Sequence, residues 1–81
     1  MAKTFYPRKS VLIPASPPHP ANTEYKISSG LEHWGDGNHD VLKVQMVYNG
    51  EVSGRRSPSY PLGTDDFQRV TTKLAEMIAD R

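Results

Sequence analysis

At 81 residues and a formal net charge of +1, the chain has room for one small domain and carries no overall charge that selects a partner. It has no cysteine, which excludes disulfides, thiolate metal sites and cysteine nucleophiles. Pairing with another chain is then the natural way to enlarge a core that, at this size, removes only about 60–65% of the unfolded surface from water. No apolar run is long enough for a membrane span or a secretory leader, so a soluble, cytoplasmic protein without a membrane partner is expected.

Residues 1–22 hold five of the seven prolines, Pro7, Pro14, Pro17, Pro18 and Pro20. Each removes a backbone donor and biases the preceding residue away from the helical region, so this arm is neither a helix nor a central strand. Within it Val11-Leu12-Ile13 is a short β-branched run able to add at a sheet edge, and residues 15–20 read as a polyproline-like linker. Residues 23–81 read as a single sheet-plus-helix domain.

In Glu24-Tyr25-Lys26-Ile27-Ser28 the alternation places Tyr25 and Ile27 on one face of a strand. Gly30 marks a bulge, with Leu31 to Trp34 continuing the strand beyond it. A loop over 35–40 follows, and strands are predicted over about 41–48 and 51–57. Between them, Asn49-Gly50 is the strongest local signal in the chain, because a two-residue type I′ turn needs φ > 0 at both central positions. That turn sets Tyr48 opposite Glu51, Val47 opposite Val52, Met46 opposite Ser53, Val44 opposite Arg55 and Lys43 opposite Arg56. One face then carries Leu42, Val44, Met46 and Tyr48. The other carries Lys43, Gln45, Gly54 and Arg56, and Arg55 is left on the apolar side unless Gly54 makes a bulge.

Pro58 and Pro61 end the sheet, and Gly63-Thr64-Asp65-Asp66 opens a helix, with Asp65 and Gln68 spaced as a capping box. Phe67, Val70, Leu74, Met77 and Ile78 recur at three- and four-residue spacing and form one apolar stripe. Its partners are Leu42, Val44 and Met46, and any surplus packs on the same helix of a second copy. The fold class is therefore α+β, an antiparallel three- to four-stranded sheet of meander or hairpin type packed on one C-terminal helix.

Three constellations bear on chemistry. His33, Asp36, His39 and Asp40 combine imidazole and carboxylate, and Gly37-Asn38-His39-Asp40 is similar to a short element of metallophosphoesterases. Those enzymes need further ligand segments on a much larger scaffold. A calcium loop fails here because Val41 and Val47 stand where glycine and glutamate are required. The residues read as a strand connection, with no metal, no cofactor and no catalytic residue assigned. No nucleophile elbow or phosphate-cradling glycine loop is present, and the chain reads as a non-enzyme. The third constellation is basic and aromatic. Positive charge gathers at Lys3, Arg8 and Lys9 and again at Lys43, Arg55 and Arg56, the latter near Trp34, Tyr48 and Tyr60. Guanidinium and ammonium groups bind phosphate, and aromatic rings stack unpaired bases for about 1–3 kcal/mol each.

Leu42 to Tyr48, Asn49-Gly50-Glu51-Val52, Gly54-Arg55-Arg56, Ser59, Leu62, Asp65-Asp66-Phe67, Val70, Leu74 and Ile78 together resemble the C-terminal half of the positive-cofactor-four family of transcriptional coactivators, over about residues 42–78. The resemblance implies a curved antiparallel sheet followed by one helix, dimerisation through that helix, and a basic surface for single-stranded DNA or RNA. It makes Lys43, Arg55 and Arg56 phosphate contacts, Trp34 or Tyr48 a base-stacking platform and Phe67 the anchor of the helix. The chain departs from the family in its proline-rich beginning, in Pro58 and Pro61, and in its glycine-rich loop at 35–40. A nucleic-acid-binding protein is the leading expectation, and a protein-interaction module without catalytic activity is the alternative.

Overall fold

The computed structural model describes residues 5–80, so Lys3 lies outside the described residues. Four strands, β1 (Phe5–Pro14), β2 (Thr23–His33), β3 (Asn38–Tyr48) and β4 (Glu51–Ser53), form an antiparallel meander in sheet order β1-β2-β3-β4, followed by one helix, α1 (Asp66–Ala79). The architecture is the α+β class expected, with the fourth strand supplied by the proline-rich segment. No helix among the described residues is long and apolar enough to cross a membrane.

β1 is an edge strand, where prolines are tolerated because one row of amides needs no partner. Its pairing with β2 shifts between Pro7 and Lys9, which leaves Arg8 as the extra residue of a bulge. The bulge expected at Gly30 is thus on the neighbouring strand. Gly30 itself pairs in register with Val41, and β2–β3 pairing runs unbroken from Thr23↔Tyr48 to His33↔Asn38. Glycine is required there for another reason. A Cβ would lie 2.7 Å from Pro7 Cα and closer still to the Tyr6 carbonyl oxygen, so β1 can cross only over a residue with no side chain.

Asn49 (φ 52°) and Gly50 (φ 84°) both adopt the left-handed region, as the type I′ turn demands. The three pairs nearest the turn, Tyr48↔Glu51, Val47↔Val52 and Met46↔Ser53, stand as expected. The hairpin ends there. The Ser53 hydroxyl accepts the Arg56 N–H at 3.3 Å, so the backbone turns away instead of continuing the ladder. Val44 therefore does not face Arg55, nor Lys43 Arg56, and Gly54 makes no bulge because it lies outside β4.

The core lies between one face of the sheet and α1. Ile13, Tyr25, Ile27, Met46, Val70 and Met77 are buried together, with Leu42, Val44, Tyr48, Tyr60 and Leu74 half-buried against them. The apolar stripe of the helix is divided. Val70 and Met77 are covered, but Phe67 and Ile78 are 58% and 56% exposed. The predicted capping box does not form, since Asp65 makes no side-chain cap bond. The Thr64 hydroxyl accepts the Asp66 N–H at 3.3 Å, and Asp65 instead pairs with Arg69 at 3.1 Å.

Asp66 is the polar centre of the fold. Its buried carboxylate receives the Ser16 N–H (2.9 Å), the Ser16 hydroxyl (2.5 Å), the Tyr25 hydroxyl (2.7 Å) and the Arg69 guanidinium (2.5 Å). The first turn of α1 is thereby tied to the β1–β2 connection and to the start of β2.

Candidate nucleic-acid interface

The five residues singled out for phosphate or base contact fall into two groups on opposite faces of the sheet. Successive residues of β3 alternate in direction, so Lys43 faces away from α1 while Tyr48, with Met46 and Val44, faces the helix side. Tyr48 lies five residue steps along the strand from Lys43, about 17 Å at 3.4 Å per residue.

The first group lies on the face away from the helix, toward the β2–β3 connection. Lys43 sits 4.8 Å over the Phe5 ring and pairs with Glu32. Trp34 donates its indole N–H to the same Glu32 at 2.8 Å and stacks on His39 at 4.3 Å between ring centroids. Glu32 thus holds both candidates. Its carboxyl is pushed below the usual range by the hydrogen bond from Lys43 and then by that from Trp34. Sequence reasoning missed Glu32. The available signal was its place two residues before Trp34 on a strand paired with the one carrying Lys43.

The metal-like cluster is drawn into the same region and divided. His39 contacts Asp36 at 3.0 Å, His33 contacts Asn38 at 3.2 Å, and Asp40 pairs with Arg8. Among the described residues, no group of three or more histidines and acids is arranged to hold a metal ion.

The second group surrounds the end of the hairpin. The Arg56 guanidinium lies 5.6 Å from the Tyr48 ring centroid, within cation–π range. With His19, Pro20 and Ser59 these two residues line a cleft of about 360 Å³. The cleft has a firm base, because the Ser59 carbonyl accepts from both the His19 ring (2.8 Å) and the Tyr25 hydroxyl (2.9 Å), and Tyr60 stacks on Tyr25 at 5.1 Å. His19, from the supposed linker, had no sequence signal for this position.

No family model matches the chain, and no curated protein or solved structure does so either.

Charge pairing separates the basic residues further. Arg8, Lys9, Lys43, Arg69 and Lys73 each lie against an acidic side chain. Among the described residues, Lys26, Arg55 and Arg56 have no such partner. Arg55 and Arg56 are adjacent and exposed, and Arg56 lies beside the Tyr48 ring. This arrangement can take an anion without first breaking an ion pair.

Proposed function

We propose that the chain is a small binding protein without catalytic activity that contacts single-stranded DNA or RNA, in keeping with the transcription-regulating role implied by its resemblance to the positive-cofactor-four family. The observation that carries the reading is the adjacent, acid-free pair Arg55 and Arg56, with Arg56 beside the Tyr48 ring. Guanidinium groups supply charge-assisted hydrogen bonds to phosphate, and the Tyr48–Arg56 pair offers a planar surface to a base. Lys43 and Trp34 form an accessory site on the other face, reached only by a strand that passes around the sheet.

The test is anisotropy of a short labelled single-stranded oligonucleotide at low and moderate salt. Binding is expected to weaken with salt at a logarithmic slope of about −0.7 per phosphate contact. The Arg55→Ala/Arg56→Ala double variant should bind at least tenfold more weakly. Absence of binding by the unaltered protein at low salt would remove the reading.

A homodimer is proposed as the working form, because Phe67 and Ile78 leave an apolar flank of α1 uncovered and a second copy of that flank would bury it. Sedimentation equilibrium at high concentration should give the mass of two chains, and Ile78→Glu the mass of one. The same flank is the feature that favours a protein-interaction module as the second reading.

A further inference from the structure

We propose that the outer edge of β3 is a docking surface for β3 of a second copy of this chain, joining the two four-stranded sheets into one. The proposal rests on the dimer reading above and extends it from the helix flank to the sheet edge.

The two edges of this sheet are built differently. β1 carries Pro7, Pro14 and the Arg8 bulge, which are the devices that keep an edge strand from pairing with another chain. At the opposite edge, β3 is 11 residues long and β4 only 3, and pairing between them covers Met46 to Tyr48 alone. Among the described residues no strand lies outside the remainder of β3, and that stretch holds no proline and no bulge.

Its amides can be oriented. The Asn49 N–H is donated to the Asn22 carbonyl at 2.9 Å, on the β2 side. Peptide groups alternate along a strand, so Val41, Lys43 and Gln45 also bond toward β2, while the N–H and C=O groups of Leu42 and Val44 point outward.

The uncovered flank of the helix lies on the same side. Arg69 reaches back to the Pro14 carbonyl (2.9 Å) and the Ser16 hydroxyl (3.3 Å), so its flank of α1 faces β1. Phe67 and Ile78 lie on the other flank, with Phe67 edge-on to Tyr60 at 5.3 Å. Open amides, the half-buried Leu42 and Val44, and the exposed helix flank thus lie toward the same side of the molecule.

An extended peptide would satisfy the amides and leave the helix flank bare. A second copy covers both, because a two-fold axis normal to the sheet keeps both helices on the same face. Same-face pairing restricts the register. An axis at Asp40 opposes two carboxylates and an axis at Lys43 two ammonium groups. An axis at Leu42 sets Leu42 against Leu42, Asp40 against Val44 and Val41 against Lys43, with no like charges opposed. With strands about 4.8 Å apart, helices seated over β2 stand about 14 Å from each other, a gap that Phe67 and Ile78 from both copies can fill.

Amide exchange read residue by residue, with sedimentation on the same samples, tests the proposal. As the chain is concentrated through its association, exchange at Leu42 and Val44 should slow by about 100-fold, while Val41 and Lys43, bonded to β2 in either state, stay protected throughout. Leu42→Pro removes an outward donor together with a half-buried side chain, breaks no bond to β2, and should give the mass of one chain with cooperative unfolding retained. If that variant does not fold, amide exchange of the unaltered chain decides. A dimer in which Leu42 and Val44 exchange as fast as in the dilute chain would overturn the β3 ladder and leave the helix contact standing. A single-chain mass at millimolar concentration would overturn both.

Discussion

Tyr25 and Asp66, 41 residues apart in sequence, meet through a hydrogen bond of 2.7 Å from the phenolic hydroxyl to the carboxylate. The hydroxyl has one proton and two acceptors, the carboxylate and the Ser59 carbonyl at 2.9 Å. The shorter, charge-assisted bond takes the larger share. Through this pair the inner strand β2, the start of the helix and the segment leading into it are held at one point.

Asp66 is fully buried, and burial alone would push its carboxyl up. Hydrogen bonds from the Ser16 side chain and backbone, then Tyr25 and Arg69, outweigh that and hold it well below the usual carboxylate range. A depressed folded-state value stabilises the fold above the unfolded value, about pH 4 for aspartate, and this contribution is lost as pH falls toward the folded value. Asp66→Asn keeps the shape and removes the charge. It should cost about 2–4 kcal/mol in urea unfolding at pH 7, and the gap to the unaltered protein should narrow at pH 3.

Tyr25 is shifted the opposite way. Burial, then the hydrogen bond to Asp66, raises its hydroxyl far above its ordinary value. The neutral phenol is therefore favoured in the fold, and this stabilisation is complete below about pH 10 and lost above it. Tyr25→Phe should lower stability by about 1–2 kcal/mol at pH 7 and reduce the loss above pH 10, both read by chemical denaturation.

What the sequence discloses here follows the range of the interactions. Asn49-Gly50 and the three pairs beside it are local, since turn geometry fixes them without help from the rest of the chain. The helix is local too, and its period places Val70 and Met77 inward. Asp66 escapes a sequence reading because an aspartate in a first turn already has a local explanation in the helix dipole. Its partners Ser16 and Tyr25 are 50 and 41 residues away. β1 escapes for a related reason. Its prolines forbid a central strand but permit an edge, and only the pairing with β2 reveals ten residues of it. Charge alone points to Arg55 and Arg56 as candidates, but the hairpin register does not extend to them, since β3–β4 pairing ends at Met46↔Ser53. The bond from Arg56 to the Ser53 hydroxyl ends β4 and frees both side chains from the sheet alternation.

Gly30 offers a test of the sheet independent of any ligand. Its missing side chain is occupied by the β1 backbone at Tyr6 and Pro7, which cannot move aside as a flexible side chain would. Gly30→Ala should destabilise the protein by about 2–3 kcal/mol, as overpacking against backbone does. The loss should appear as faster amide exchange in residues 5–10, because the N-terminal half of β1 separates first. Unchanged exchange there would mean that β1 accommodates the methyl group.

Glu32 decides whether the second basic group takes part in binding. In the free protein it engages Lys43 and accepts the Trp34 indole N–H, so phosphate reaching Lys43 must compete with a carboxylate already in place. Glu32→Gln retains an acceptor for Trp34 and releases the Lys43 ammonium. An oligonucleotide long enough to pass around the sheet should then bind about two- to threefold more tightly at low salt, with a logarithmic salt slope steeper by about 0.7, the value of one additional phosphate contact. A short oligonucleotide confined to the Arg55–Arg56 end should bind both proteins alike. Equal affinity for the long one as well would confine binding to that end, leaving Lys43 and Trp34 as structural parts of the opposite face.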